Sequence, residues 1–217
     1  MTVLLFVATI VTFVGIDYLV RRSKGESTVT ETTTRPVAAL RFPEGVFFSK
    51  THTWLNLFPS GIVQLGVDDF VKRMFANPQV TLLKSEGESV SKGESIIRME
   101  EGGNAFFVHS PIEGRITRLN TRSAATVHED HFVQGWAYAI EPKGGASELR
   151  NFFLGAETRT WIKSEFARLR DFIASASSPA EYASVCLQDG GEPMPGILNT
   201  ISPKACIDFE KQFLANN

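Results

Sequence analysis

Cysteine is scarce in this 217-residue chain, and dense blocks of basic residues are absent. The two cysteines, Cys186 and Cys206, are too few for a disulfide framework, and no matching His/Cys cluster makes them a zinc site. Lysine and arginine total 22 against 24 acidic residues, which gives a formal net charge of −2. Because a nucleic-acid surface needs clustered positive charge, this composition argues against nucleic acid as a partner. Whether Cys186 and Cys206 pair is left open.

Charge is also nearly absent from the start of the chain. Residues 3–20 contain one charged side chain, Asp17, and three basic residues follow at positions 21–24. A helix of this length spans about 27 Å, close to the hydrocarbon thickness of a bilayer. A cleaved secretory signal would have its cations before the apolar run, and a buried core helix is rarely apolar on every face. We therefore predict a transmembrane helix over residues 1–22.

The same segment predicts how the transmembrane helix is oriented and which of its residues contact another helix. Positive charge lies on its C-terminal side, which places the rest of the chain in the cytoplasm at the inner membrane. Ala8, Thr12 and Gly15 share one helical face, and small residues let another transmembrane helix approach closely. These three residues are therefore candidate contacts with other subunits of a membrane complex.

A polar tether and then a β-rich domain follow the predicted anchor. Residues 23–42 begin rich in Ser and Thr, whereas residues 43–143 alternate short β-type runs with Gly and Pro turn signals. Thr53–Leu57 and Ile62–Val67 are two such runs. Asp68–Phe75 has helical spacing and one of its first two aspartates as N-cap. The pattern predicts a mainly β fold, a small barrel or sandwich with one short helix.

A hairpin is predicted over Ser89–Pro111, with the turn Glu101-Gly102-Gly103-Asn104 at its tip. Glycine allows the positive φ that such tight turns require. Phe106 and Phe107 follow each other in the outgoing strand, and successive strand residues face opposite sides, so one of them is expected outside. An exposed aromatic beside an acidic, glycine-rich tip is a candidate docking point. The candidate partner contacts are therefore Glu101, Asn104, Phe106 and Phe107.

Five segments, in order and at compatible spacing, resemble the glycine cleavage system H protein family. The segments are Phe48–Trp54, Gly61–Phe70, Gly87–Glu94, Ser110–Asn120 and Gly135–Pro142. The first resembles the opening of the family, the second its strand and short helix, and the last its closing strand. The third and fourth resemble the two halves of a lipoyl-type barrel signature. The resemblance covers about Phe48–Pro142. It implies a barrel-sandwich hybrid, a fold in which two similar halves pack around a shared core.

One departure from that family concerns the carried group. The resemblance implies a lysine for lipoylation at the hairpin tip, eight residues before the following Ser-Pro. Counting back from Ser110-Pro111 reaches Gly102 and Gly103, and no lysine lies between Lys92 and Lys143. Lipoate and biotin are both attached through a lysine amine. We therefore predict that no lipoyl group is attached here and that the chain carries no cofactor.

No other catalytic constellation is recognisable in the sequence. His128 and His131, with acidic residues between them, have a metal-like composition, but without a second ligand set the pattern favours a solvated loop. Glu100 and Glu101 are adjacent in a strand and point to opposite faces, so they are not placed for acid–base work. We expect His52 to be structural. The sequence therefore predicts neither an enzyme nor a resident metal.

The C-terminal region, residues 144–217, is predicted to be helical. Glu157–Ala176 has an apolar stripe at helical spacing (Ile162, Phe166, Leu169, Ile173) and an opposite, mostly basic face to which Glu165 is assigned. A short helix from Ser178 to about Leu187 and a last helix over Lys204–Leu214, capped at Ser202, complete the region. A subdomain packed on the β domain and a partner-binding appendage both remain open.

Three functions fit these observations. The leading hypothesis is a non-catalytic, single-pass accessory or scaffold subunit that docks on the cytoplasmic face of a larger membrane complex, such as a respiratory or photosynthetic one. The first alternative is a carrier-related protein of glycine cleavage or a lipoate pathway. The second alternative is a small-ligand or metal sensor that uses the His128–His131 loop.

Overall fold

The computed structural model describes residues 43–121, 132, 134–176, 196–199 and 201–215. The chain divides into two units, Met1–Leu40 and Arg41–Asn217, and the described residues belong to the second. The predicted anchor, its Ala8/Thr12/Gly15 face, the tether, the His128–His131 loop and the helix predicted from Ser178 lie outside the described residues. Within the described ranges, no helix is both long and apolar enough to cross a bilayer.

Strands dominate the part of the chain that the structure describes, as the sequence predicted. They are β1 (Val46–Phe48), β2 (Thr53–Leu57), β3 (Val63–Val67), β4 (Gln79–Leu82), β5 (Ser89–Val90), β6 (Ser95–Glu101), β7 (Asn104–His109), β8 (Gly114–Leu119), β9 (Trp136–Pro142) and β10 (Phe153–Leu154). The helices are α1 (Asp69–Met74), α2 (Ala156–Ala176) and α3 (Pro203–Phe209), which continues as a π-helix over Glu210–Leu214. Two 3₁₀ turns lie at Gly145–Asn151 and Ile197–Asn199.

Two antiparallel sheets form the β domain. The larger has the strand order β10-β1-β2-β3-β9-β8-β5, and the smaller has the order β4-β6-β7. The fully buried Tyr138 connects the two sheets, because its hydroxyl donates to the Ile96 carbonyl at 2.7 Å, and the fully buried Trp54 packs in a cluster with Val46 and Phe48. Gly66 is required beneath Trp54, because a Cβ at this position would lie 2.5 Å from the indole ring. The alternation of buried and half-buried residues along β7 is the period-two pattern of a strand with one covered face.

Local capping explains where two of the helices begin. The Asp68 side chain accepts a hydrogen bond from the Val71 amide at 3.1 Å, so Asp68 is the N-cap of α1, one of the two predicted. Ser202 caps α3 in the same way through the Ala205 amide, with Pro203 in the first turn. Both helix starts are confirmed.

Helix α2 confirms the predicted apolar stripe and corrects one residue. Ile162, Phe166, Leu169 and Ile173 are all buried. Glu165 was assigned to the exposed basic face, and this was wrong: the residue is only 6% exposed. Its burial is tolerated because Arg168 donates to both carboxylate oxygens, at 2.6 and 2.8 Å.

The C-terminal segment, which we define as residues 196–199 and 201–215, packs on the β domain and on α2. Phe213 lies 5.7 Å from Phe70 of α1 and 5.8 Å from Phe172 of α2, ring centroid to centroid. The Gly196 amide donates to the Arg73 carbonyl at 3.2 Å. Of the two arrangements left open by the sequence, the described part of this region adopts packing on the β domain.

Candidate functional site

The β6–β7 turn is the predicted tip, and the structure places it at the end of the small sheet. Glu101 pairs with Asn104 in register, and Gly102 and Gly103 form the turn with φ values of 60° and 83°. Two successive positive φ values are those of a type I′ hairpin turn, which glycine adopts without strain. A Cβ built on Gly103 meets no atom within 4 Å. The turn to which the lysine implied by the resemblance maps is therefore open to solvent.

Glu101 fixes this turn to the rest of the domain. Its carboxylate accepts hydrogen bonds from the Ala76 amide at 3.0 Å and from the Asn77 amide at 2.5 Å. Glu100 instead pairs with Arg98 at 2.7 Å. The two adjacent glutamates thus serve separate partners, as their strand geometry predicted, and the Glu101 carboxylate is engaged within the chain rather than free for a partner.

Phe106 and Phe107 are separated by the strand pleat. Phe106 is 1% exposed and packs edge-on against Phe75 at 5.2 Å and against Phe209 at 6.1 Å. Phe106 was predicted to be a candidate partner contact, and this prediction is wrong. Its ring is already covered by Phe209 of the C-terminal segment and by Phe75, which follows α1. Phe107 is half-buried on the other face of β7, so it is the aromatic that remains accessible beside the tip.

The C-terminal segment lies along β7, the outer strand of the small sheet. Its residue Glu210 accepts a hydrogen bond from the Phe107 amide, and burial raises the pKa of this glutamate despite the opposing effects of His109 and that amide. An outer strand with a free amide edge is a ready template for pairing with another chain. Glu210 covers part of that edge, a role that no sequence pattern indicated.

A second polar cluster surrounds His52, in the turn between β1 and β2. His52 is fully buried, with Nδ1 2.8 Å from an Asp68 oxygen and Nε2 3.7 Å from a Glu165 oxygen. Burial alone would lower the pKa of His52, but the Asp68 and Glu165 carboxylates outweigh it and raise this pKa above 6.5. Full burial excludes contact with a substrate. The expectation that His52 is structural agrees with this geometry.

Among the described residues, little supports a reactive nucleophile or a metal site. Cys206 is a free, buried thiol whose pKa is raised by burial, which disfavours the reactive thiolate. Cys186, whose pairing with Cys206 was left open, lies outside the described ranges. No group of three or more His, Cys, Asp or Glu side chains suitable for a metal occurs in the described part of the chain. His128 and His131 are outside it.

An open groove of about 460 Å³ runs beside β5, β8 and β9. Its charged side chains include Glu113 and Lys143, which pair with each other at 2.6 Å. The paired charges and the open shape give no convergent set of polar groups for a small ligand. The accessible features next to the turn, Asn104 and Phe107, are therefore the better candidate site.

Two antiparallel sheets, a short helix after β3 and a glycine turn at the end of the small sheet form a mainly β domain of the kind that the resemblance implied. A sequence model described as the glycine cleavage H-protein matches residues 46–165, more than half of the chain. The chain belongs to the glycine cleavage H-protein family. The match ends within α2, so the C-terminal segment lies beyond it.

Two relatives and one solved structure are similar to the chain. The chain is 27% identical over 101 residues to the glycine cleavage system H protein of Coprothermobacter proteolyticus, covering 45% of this chain and 80% of the relative. It is 24% identical over 131 residues to the probable glycine cleavage system H protein of Pyrococcus horikoshii, covering 59% and 97%. The crystal structure of an H protein from Mycobacterium marinum matches with a TM-score of 0.48 at 23% identity, covering 56% of this chain and 99% of that one.

Proposed function

We propose that this chain is a glycine-cleavage-related protein of the H-protein family that binds a partner protein without carrying lipoate. One observation carries the proposal: Gly102 and Gly103 occupy the exposed β6–β7 turn, and no lysine lies between Lys92 and Lys143. An amide-linked arm needs a lysine amine, which glycine lacks. The names of the relatives favour glycine cleavage over a membrane complex as the setting.

The partner would be recognised at the β6–β7 turn. Asn104 and Phe107 are half-buried, so each presents part of its side chain to solvent next to an open glycine turn. Glu101 and Glu210 tie this region to the rest of the domain from two sides. A fixed turn with a half-exposed aromatic suits docking, because little conformational entropy is lost when a pre-organised surface binds. In this role the protein is not an enzyme.

Intact-mass measurement of the full chain tests the lipoate part of the proposal. The chain is produced in a host that lipoylates proteins, and a related H protein with a lysine in this turn is produced alongside as a positive control. We expect an unmodified mass for this chain and a lipoyl adduct on the control. A lipoyl adduct on this chain would show that it is a carrier, and peptide mapping would locate the lysine.

Partner capture from the native host tests the docking part. The full chain, Phe107→Ser and Phe58→Ser are compared as baits, with mass-spectrometric identification of what co-purifies. Phe58 is a matched control because it is a 39% exposed phenylalanine in a different hairpin. We expect a specific partner to be lost with Phe107→Ser and kept with Phe58→Ser. Equal capture by all three baits would exclude docking at β7.

A second candidate function rests on the apolar run at residues 3–20. In this version the protein is a single-pass subunit of the inner membrane with its β domain in the cytoplasm, and Ala8, Thr12 and Gly15 contact other subunits. Membrane flotation of the full chain and of a chain lacking residues 1–22 tests it. We expect flotation of the full chain alone, and equal behaviour of both chains would remove this candidate.

A further inference from the structure

His52 lies in a backbone conformation that histidine rarely adopts. Its φ is 59°, in the left-handed region, and its amide donates to the Ser49 carbonyl at 3.2 Å. Its own carbonyl accepts from the Asp68 amide at 3.0 Å. A non-glycine residue persists in this region only where the surroundings hold it there. The side chain and the backbone of His52 are thus fixed by the same neighbour, Asp68.

Both ring nitrogens of His52 face carboxylate oxygens. Nδ1 is hydrogen-bonded to Asp68 at 2.8 Å, and Nε2, which makes no hydrogen bond, lies within ion-pair distance of Glu165 at 3.7 Å. A neutral imidazole has one N–H and one lone pair, so it would aim a lone pair at one of these anions. The doubly protonated imidazolium has an N–H for each of them. The geometry therefore matches the charged form of the ring.

The two faces of the ring are covered by aromatic side chains. Phe70 of α1 stacks on one face with centroids 4.0 Å apart and planes 11° apart, and Trp161 of α2 stacks at 5.1 Å and 28°. A cation over an aromatic face is attracted by the ring quadrupole, and the attraction grows when water is excluded. These contacts stabilise the protonated ring and join three elements at one residue.

The balance of charges around His52 also favours the protonated ring. The groups that face His52 are Asp68, from the loop before α1, and Glu165, from α2. Arg168 neutralises Glu165, and Lys72 acts on Asp68 from α1 at longer range. With His52 protonated, the carboxylates of Asp68 and Glu165 are matched by His52 and Arg168. Without that proton, a buried carboxylate loses its closest cation, which is strongly unfavourable.

The cluster extends to the C-terminal segment. The Arg168 guanidinium, besides binding Glu165, donates to the Gln212 carbonyl at 3.1 Å and lies 4.8 Å from the Phe213 ring centroid. A continuous line of charged contacts therefore runs from the β1–β2 turn through α2 to the residues that cover β7.

We propose that His52 is a buried imidazolium that clamps α2 and the C-terminal segment onto the β domain, and that loss of its proton loosens this clamp. The inference is independent of the proposed function. It concerns how the covering of β7 is held in place.

Nitrogen-15 NMR of the histidine rings in the full chain tests the charge state without any substitution. We expect the ring of His52 to be doubly protonated at low pH and to lose its proton with a midpoint above 6.5. His52→Gln assigns that signal by removing it. A midpoint at or below 6.5 for that signal would overturn the proposal.

Amide hydrogen exchange tests the clamp itself. Protection of α2 and α3, corrected for intrinsic exchange, should fall as pH rises through the His52 midpoint, by about tenfold for each pH unit that separates this midpoint from 6.5. Glu165→Gln should lower the midpoint, whereas the matched control Glu113→Gln, in an exposed pair with Lys143, should leave it unchanged. Constant protection of α2 across the wild-type midpoint would contradict the clamp. This measurement is made on the wild-type chain, so it does not depend on whether a variant folds.

Discussion

The turn between β1 and β2 and the turn between β6 and β7 use the same unusual backbone conformation for opposite purposes. His52 has a φ of 59° in the first, and Gly102 and Gly103 have 60° and 83° in the second. In the first turn His52 is buried and tied to α1 and α2, whereas the second turn is open to solvent. Glycine adopts positive φ freely, but for histidine it costs about 1–3 kcal/mol, which tertiary contacts must offset. The comparison separates a turn that stabilises the fold from a turn that is available for contact.

Replacing His52 gives the largest expected effect on that comparison. His52→Ala removes two stacked aromatic contacts and leaves Asp68 and Glu165 as buried carboxylates without their shared cation. We expect the free energy of unfolding to fall by about 3–5 kcal/mol. Urea denaturation followed by tryptophan fluorescence measures it.

Lys50→Ala is the matched control, because Lys50 is exposed in the same turn. We expect a change within about 0.5 kcal/mol for it. A loss of under about 1 kcal/mol for His52→Ala would mean that the cluster does not stabilise the fold.

The pH dependence of stability sharpens the role of the buried turn. The folded pKa of His52 is raised above 6.5, so its contribution is complete below 6.5 and is lost as pH rises through the folded pKa. Burial would raise the pKa of Glu165, but the neighbouring cations His52 and Arg168 outweigh it and lower the folded pKa below 4.5, so its contribution is complete above 4.5 and is lost as pH falls. Both contributions are complete between 4.5 and 6.5.

Denaturation of the full chain across this pH range measures the effect. We expect greatest stability in that window and a decline on the alkaline side that is absent in His52→Gln. An identical alkaline slope in the two chains would assign the decline to other groups.

A β-branched residue in the open turn gives a smaller effect. Gly103→Val forces a branched side chain to a φ of 83°, and we expect a loss of about 1–2 kcal/mol from backbone strain alone, because no atom obstructs the new side chain. Thermal unfolding measures it. Gly103→Asn is the control, since asparagine tolerates this conformation, and it should cost clearly less. Equal losses of stability in the two variants would indicate that something other than φ determines which residues are tolerated at position 103.

Removing the Glu101 carboxylate gives the smallest of these effects. Glu101→Ala deletes two half-exposed hydrogen bonds to Ala76 and Asn77, and we expect a loss of about 1 kcal/mol after allowing for solvent screening. Glu100→Ala is matched in position but loses only a surface ion pair with Arg98, so it should cost less. Exchange of the Gly102 and Gly103 amides would also quicken in Glu101→Ala alone. If both variants behave alike, Glu101 does not anchor the turn.

The sequence by itself determined the local elements and the family. Period-two runs and glycine turns marked the strands, Asp68 and Ser202 marked the starts of α1 and α3, and a stripe at helical spacing marked α2. These features depend on residues close in the chain, so near-neighbour physics is enough to predict them. The absence of a lysine from the β6–β7 turn is likewise a property of the sequence.

Only the tertiary structure decided which side chains are covered and charged. Glu165 reads as one more residue of a polar helix face until the fold brings His52, from a distant turn, within 3.7 Å of it. Phe106 reads as a possible contact until Phe209, about a hundred residues further along the chain, covers it. The left-handed conformation of His52 could not be predicted from the sequence, because this conformation is uncommon for any residue but glycine and is held here by contacts with distant residues. Burial and charge compensation depend on contacts between distant residues, which local patterns do not encode.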